Sequence, residues 1–138
     1  MAFSIHTTDD GRVPGLEYLP CGAVVPKAGM AMKLQNGKLA AAKGAELPLY
    51  LSMAERKEAC ENGELIPVIR ISSDMVFETA TPQGFAAVPG DRVQLSADGL
   101  DLAAEQGGAA EVAYADDSAV RIRFVQYGAG VPAQPAGE

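Results

Sequence analysis

The stretch Glu64-Leu-Ile-Pro-Val-Ile-Arg-Ile-Ser-Ser-Asp-Met-Val-Phe-Glu-Thr79 decides how the rest of the chain is read. Leu65 to Ile71 is almost continuously apolar and β-branched, which predicts a strand covered on both faces. Ser72-Ser73-Asp74 offers hydroxyl and carboxylate acceptors for a turn. Met75 to Thr79 resumes as a strand, with Met75, Phe77 and Thr79 on one face and Val76 and Glu78 on the other. Pro67 cannot donate to a ladder, so it is expected at a strand start or on an edge. No side chain here points to chemistry. The stretch reads as the middle of a β-barrel or sandwich.

Working outward, the same grammar continues. Met30, Met32 and Leu34 alternate with Ala31, Lys33 and Gln35, then Asn36-Gly37 supplies the two positive-φ positions of a type I′ turn. Lys38 to Ala42 returns as the partner strand. Leu47 to Met53 predicts a further strand, and Ala54 to Glu64 either a short helix or a charged loop ending at Asn62-Gly63. The block from Gly29 (Gly-x-x-Met-x-Leu-x-Asn-Gly) is echoed from Gly90 (Gly-x-x-Val-x-Leu-x-x-Asp-Gly), so Asp98-Gly99 is expected to close a second hairpin. Residues 103–109 read as a loop around Gln106-Gly107-Gly108. Ala110 to Tyr114 and Ala119 to Tyr127 read as strands flanking an Asp116-Asp117-Ser118 turn. The expected architecture is an all-β, compact β-barrel or sandwich of short hairpins. It comprises an N-terminal arm (1–20), a β-barrel domain (21–127) and a flexible Pro/Ala-rich C-terminal tail (128–138).

Composition agrees with that picture. The chain has 138 residues with 15 Gly and 9 Pro, which favours many turns over long helices. Aromatics are 6% and Trp is absent, so the core must rest on Val, Ile, Leu and Met. The net charge of −7 opposes binding to nucleic-acid phosphates. Residues 1–70 hold eight basic and eight acidic side chains, whereas 71–138 hold three against ten, so the imbalance lies in the second half. Two cysteines make no disulfide framework, and no signal peptide or membrane-length apolar run is present. A soluble protein of a reducing cytosol is expected, with Cys21 and Cys60 inert thiols or bonded to each other.

The search for chemistry returns little. There is no P-loop, Gly-x-Gly-x-x-Gly, His-Glu-x-x-His, Cys-x-x-Cys or Gly-x-Ser-x-Gly. The one histidine, His6, lies in the arm, so no histidine triad or multi-histidine metal site fits within one chain. Asp9-Asp10 and Asp116-Asp117 read as solvated turns, because calcium needs more converging oxygens. Lys27, Lys33, Lys38 and Lys43 surround the first hairpin without interleaved aromatics. No enzyme activity, cofactor, metal, nucleic acid or membrane is expected. Arg121 and Arg123 share one strand face and are expected to pair with Glu78 or Glu111, or with a partner's carboxylates. Phe3, Ile5 and Thr7 alternate as a short strand, uncoupled from the body by Asp9-Asp10-Gly11 and Pro14-Gly15. That strand is expected to pair with an exposed sheet edge on another chain. The contact residues are thus Phe3, Ile5, Thr7, Arg121 and Arg123.

Two segments carry a family resemblance. They are Leu16-Glu-Tyr-Leu-Pro-Cys-Gly-Ala-Val-Val-Pro-Lys-Ala-Gly-Met-Ala-Met32, continued by Gly37-Lys-Leu-Ala40, and Gly63-Glu-Leu-Ile-Pro-Val-Ile-Arg-Ile71. They resemble small proteins encoded beside major capsid genes in prophages of anaerobic gut bacteria. In layout the chain is similar to head-decoration (capsid cement) proteins of tailed phages, including the lambda type, over roughly residues 16–125. The resemblance implies a non-enzymatic virion protein made in the host cytoplasm. It would sit on the capsid surface as a homotrimer, with the major capsid protein and sister subunits as partners. The C-terminal half is longer than in the lambda type. Other small virion barrels (head-completion or tail-tube-like) and a host small-molecule or carbohydrate-binding barrel are the competing readings.

Overall fold

The computed structural model describes residues 2–8, 15–72 and 75–125, and every regular element within them is a strand. Five strands close a barrel in the order β2 (Glu17–Cys21), β4 (Lys38–Ala41), β3 (Ala31–Gln35), β5 (Tyr50–Ser52), β6 (Glu64–Arg70). The other six form an open antiparallel sheet ordered β1 (Ser4–Thr7), β7 (Val76–Ala80), β11 (Ala119–Phe124), β10 (Ala110–Ala115), β8 (Arg92–Leu95), β9 (Leu102–Gln106). The all-β expectation holds, and the body is a barrel with a sheet laid against it.

Local chemistry explains the corners. Asn36 (φ 53°) and Gly37 (φ 79°) join β3 to β4 with Gln35 opposite Lys38, as a two-residue type I′ turn requires. The β8–β9 corner is wider. Ser96 Oγ donates to Asp98 Oδ1 at 2.7 Å, and the same carboxylate oxygen accepts the Leu100 N–H at 3.1 Å. Gly99 (φ 73°) then turns its carbonyl to the Ala31 N–H at 2.8 Å. A Cβ at Gly99 would stand 2.8 Å from Ala31 O and 2.9 Å from Ala42 O, so only glycine fits where this corner abuts the barrel. Gly44 and Leu95 exchange both backbone hydrogen bonds nearby, stitching the barrel to the sheet. The two sequence-similar hairpins therefore serve different sheets, and the Gly99 corner of one meets the open end of the other at Ala31 and Ala42.

Two cores result. Cys21, Met30, Met32, Leu39, Tyr50, Ile66 and Val68 belong to the core of the barrel. At the end of β6, Arg70 forks onto Glu17 at 3.2 and 3.3 Å and lies 5.1 Å over the Tyr50 ring. The second core lies between barrel and sheet. There Ala31, Leu51 and Ile69 of the barrel meet Phe77, Val93, Val112, Val120, Ile122 and Phe124 of the sheet. The ring of Phe124 packs 5.6 Å from those of both Phe3 and Phe77.

Several expectations need correction. Pro67 is neither at a strand start nor on an edge: it is mid-β6, opposite Tyr18. Its carbonyl accepts from the Met53 N–H at 2.9 Å, so its ring nitrogen faces the same side, just past the end of β5, where a missing donor forfeits little. Of the two readings of 54–64, the loop holds and the helix does not: residues 54–63 are tied to the β2–β3 connection by Arg56 N–H to Pro26 O (2.9 Å) and Cys60 N–H to Val24 O (3.0 Å). Within the expected 103–109 loop, 103–106 belong to β9, an edge strand paired to β8. The boundary drawn at residue 20 falls inside β2. The largest correction concerns the arm. β1 pairs antiparallel with β7 of its own chain, Ser4 opposite Glu78 and Ile5 opposite Phe77. Asp9-Asp10-Gly11, Pro14, Ser73-Asp74 and the 128–138 tail lie outside the described residues.

Candidate interaction surface

The register of β2 against β6 sets Tyr18 opposite Pro67, Leu19 opposite Ile66 and Pro20 opposite Leu65. Side chains alternate, so Leu19, Cys21, Ile66 and Val68 turn into the barrel while Tyr18, Pro20, Leu65 and Pro67 turn out. Further along that outer face of β6, Ile69 is buried and Ile71 half-buried against the open sheet. Elsewhere on that face cover runs out: Leu65 at the start of β6 is 57% exposed, and Tyr18, opposite Pro67, is 60% exposed. Leu16 shares Tyr18's parity and is also exposed, and exposed Met53 lies beside Pro67 through its backbone hydrogen bond. An apolar face of this kind, on a rigid two-strand ribbon, is what interaction sites present. The two-sided apolarity of Leu65–Ile71 is therefore real, but the described residues cover only part of the second face.

The expected contact residues scatter. Phe3 is buried in its own core, its N–H bonded to Gly29 O at 3.1 Å, so it is not offered to another chain. Ile5 is half-buried against the same core, and Thr7 is exposed on the sheet edge. The docked strand leaves β1 as a free edge of the sheet, interrupted by a register shift between Ile5 and Thr7 that makes it a poor template for pairing. Arg121 pairs with Glu78, directly opposite in register, at 3.1 Å and stacks 4.8 Å over the Tyr114 ring. Arg123 stands opposite Glu111 and is exposed, and among the described residues it forms no ion pair with it. Arg121 is thus occupied, and Arg123 is the exposed cation of that face.

The remaining polar groups support turns rather than chemistry. Asp116 accepts from Tyr114 Oη (2.7 Å), the N–H groups of Ser118 (2.8 Å) and Ala119 (2.9 Å), and Ser118 Oγ (3.0 Å). These donors, the Tyr114 hydroxyl foremost, hold its carboxyl well below the usual carboxylate range. Three of the four lysines around the first hairpin are engaged: Lys33 with Glu46 at 2.6 Å, Lys38 with Asn62 at 2.7 Å, and Lys27 with the Arg56 carbonyl at 2.8 Å. A shallow groove between barrel and sheet, lined by Leu47, Pro48, Leu49, Ile71 and Phe124, carries no cluster of titratable groups. Among the described residues no three His, Cys, Asp or Glu side chains converge as metal ligands.

Sequence reasoning found Arg121 and its carboxylate but missed Leu16, Tyr18 and Leu65. The available signal was apolarity on both faces of 16–21 and 65–71 at once, more than one barrel core consumes. Against known proteins, the chain matches no family model, no curated protein and no solved structure.

Proposed function

We propose that this chain is a structural, assembly-stabilising protein of a tailed-phage or prophage head. It docks on the capsid surface through the outer face of β2 and β6. One observation carries the reading. The two segments that resemble head-decoration proteins open, at Leu16 and at Gly63, with β2 and β6, which pair side by side. Their shared outer face is where Tyr18 and Leu65 stand uncovered. A closed barrel holds that face rigid, so docking orders few side chains and loses little entropy. A barrel built to hold a small molecule would need room inside, and Met32, Leu39, Ile66 and Val68 fill this one. The partners are the major capsid protein and sister subunits, in a homotrimer.

The test is a capsid-binding assay with particles from the same source, the bound state imaged by electron microscopy. Tyr18→Ser with Leu65→Ser should leave the circular-dichroism spectrum and melting temperature unchanged while weakening binding at least tenfold. Full binding by that variant would move the docking site elsewhere. No binding by the unaltered chain would remove the capsid reading altogether.

A further inference from the structure

We infer that Cys21 and Cys60 form an intramolecular disulfide when the protein meets hydrogen peroxide, stapling the 54–63 loop across the seam of the barrel. Both thiols are free here and both are buried. The seam is the weakest join of the barrel: β2 meets β4 in parallel only at Cys21 opposite Leu39, supported by Gly22 N–H to Leu39 O at 3.0 Å. Cys60 reaches this point from the β5–β6 connection. Backbone bonds hold it there on both sides, Cys60 N–H to Val24 O at 3.0 Å and Gly63 N–H to Cys21 O at 2.9 Å. The two side chains belong to the same buried core inside the barrel. Arg56 of the same loop and Glu64 at the start of β6 are paired with each other.

The geometry favours a bond between these two sulfurs over any other fate. A disulfide needs the sulfurs at about 2 Å, and the side that must shift is a loop without ladder hydrogen bonds. Cys60 is 6% exposed while Cys21 is fully enclosed, so Cys60 meets the oxidant first. Its thiolate attacks one peroxide oxygen, the O–O bond breaks, and the departing hydroxide is protonated to water. The resulting Cys60 sulfenic acid is attacked by the Cys21 sulfur, which gives up its proton. The S–O bond breaks and the oxygen leaves as a second water. Two thiols are oxidised to one disulfide and one peroxide is reduced to two waters. The staple is independent of what the barrel docks against. It would leave the protein reduced where it is made and locked where oxidants are met.

The full chain, treated with hydrogen peroxide and then unfolded without reductant, should have lost two hydrogens by intact mass and should resist thiol alkylation. A non-reducing digest should join the Cys21 and Cys60 peptides. The oxidised protein should melt roughly 5–15 °C higher than the reduced, because the closed loop is long, and dithiothreitol should reverse the gain. Cys60→Ser should show neither the mass loss nor the gain. Oxygen addition without a link, or disulfides only between molecules, would overturn the proposal. So would a link that leaves the melting temperature unchanged. The comparison of one protein in two redox states does not depend on how well the variant folds.

Discussion

The barrel and the sheet solve opposite halves of one problem. The barrel takes its strands from a single run of chain, 17 to 70, and closes on itself, so it has no free strand edge. Yet a five-strand barrel cannot cover its own outside, and at Tyr18 and Leu65 no other described residue does. The sheet draws strands from both ends of the described chain and lays one face on the barrel through Phe3, Phe77 and Phe124. It keeps two open edges, β1 and β9. Closure removes edges and leaves a face; openness hides a face and leaves edges. The uncovered face is apolar while the edge strands are short, so the face is the better place for a partner.

The sharpest way to break this division is to remove β1. Deleting residues 1–8 strips Phe3 from the core and unpairs β7. The expected loss is about 3–5 kcal/mol or more in urea unfolding, on the scale of burying no phenylalanine at all. A loss under about 1 kcal/mol would mean that the strand is an accessory. Gly99→Ala tests whether the two units are one cooperative structure. Strain at positive φ plus two backbone contacts should cost about 2–4 kcal/mol and lower a single shared transition. Two separate transitions would show barrel and sheet unfolding independently.

The barrel core has its own signature in alkali. Burial, and then the Cys60 thiol beside it, push the Cys21 thiol up to about 12. The folded value exceeds the unfolded one, so the native state keeps its full advantage below about pH 9. It loses that advantage as pH climbs toward 12, where only the unfolded chain ionises readily. Reduced protein should therefore lose stability steeply over that window, and Cys21→Ala should flatten the slope. The smallest effect belongs to the sheet. Thr79 Oγ1 is buried with no hydrogen-bond partner among the described residues, so Thr79→Val should gain about 1 kcal/mol.

What was legible in the sequence was whatever depends on neighbours in the chain. Asn36-Gly37 fixes its turn by its own backbone preferences. The alternation of Val120, Ile122 and Phe124 against Arg121 and Arg123 states which face is buried. Arg121 needed only a cross-strand carboxylate, and Glu78 supplies it. What depends on distant segments was illegible. Phe3 looks the same whether its pocket lies in its own chain or in a partner. Pro67 is tolerated because β5 stops one residue short, which no local pattern records. Ala103-Ala104-Glu105-Gln106 has poor strand propensity and is a strand because β8 offers an edge. Leu65 announced a covered second face, but no described residue covers it.

The place of β1 also bears on how the protein comes off the ribosome. All five barrel strands have been synthesised once Arg70 has emerged, so the barrel can close while the rest is still being made. Phe3 must wait for β7 and, longer still, for Phe124 before its pocket exists. Of the strands described, the earliest in sequence is then the last to be seated. Until Phe124 has emerged, Phe3 remains exposed, and crowding among nascent chains is when this molecule is most open to mispairing.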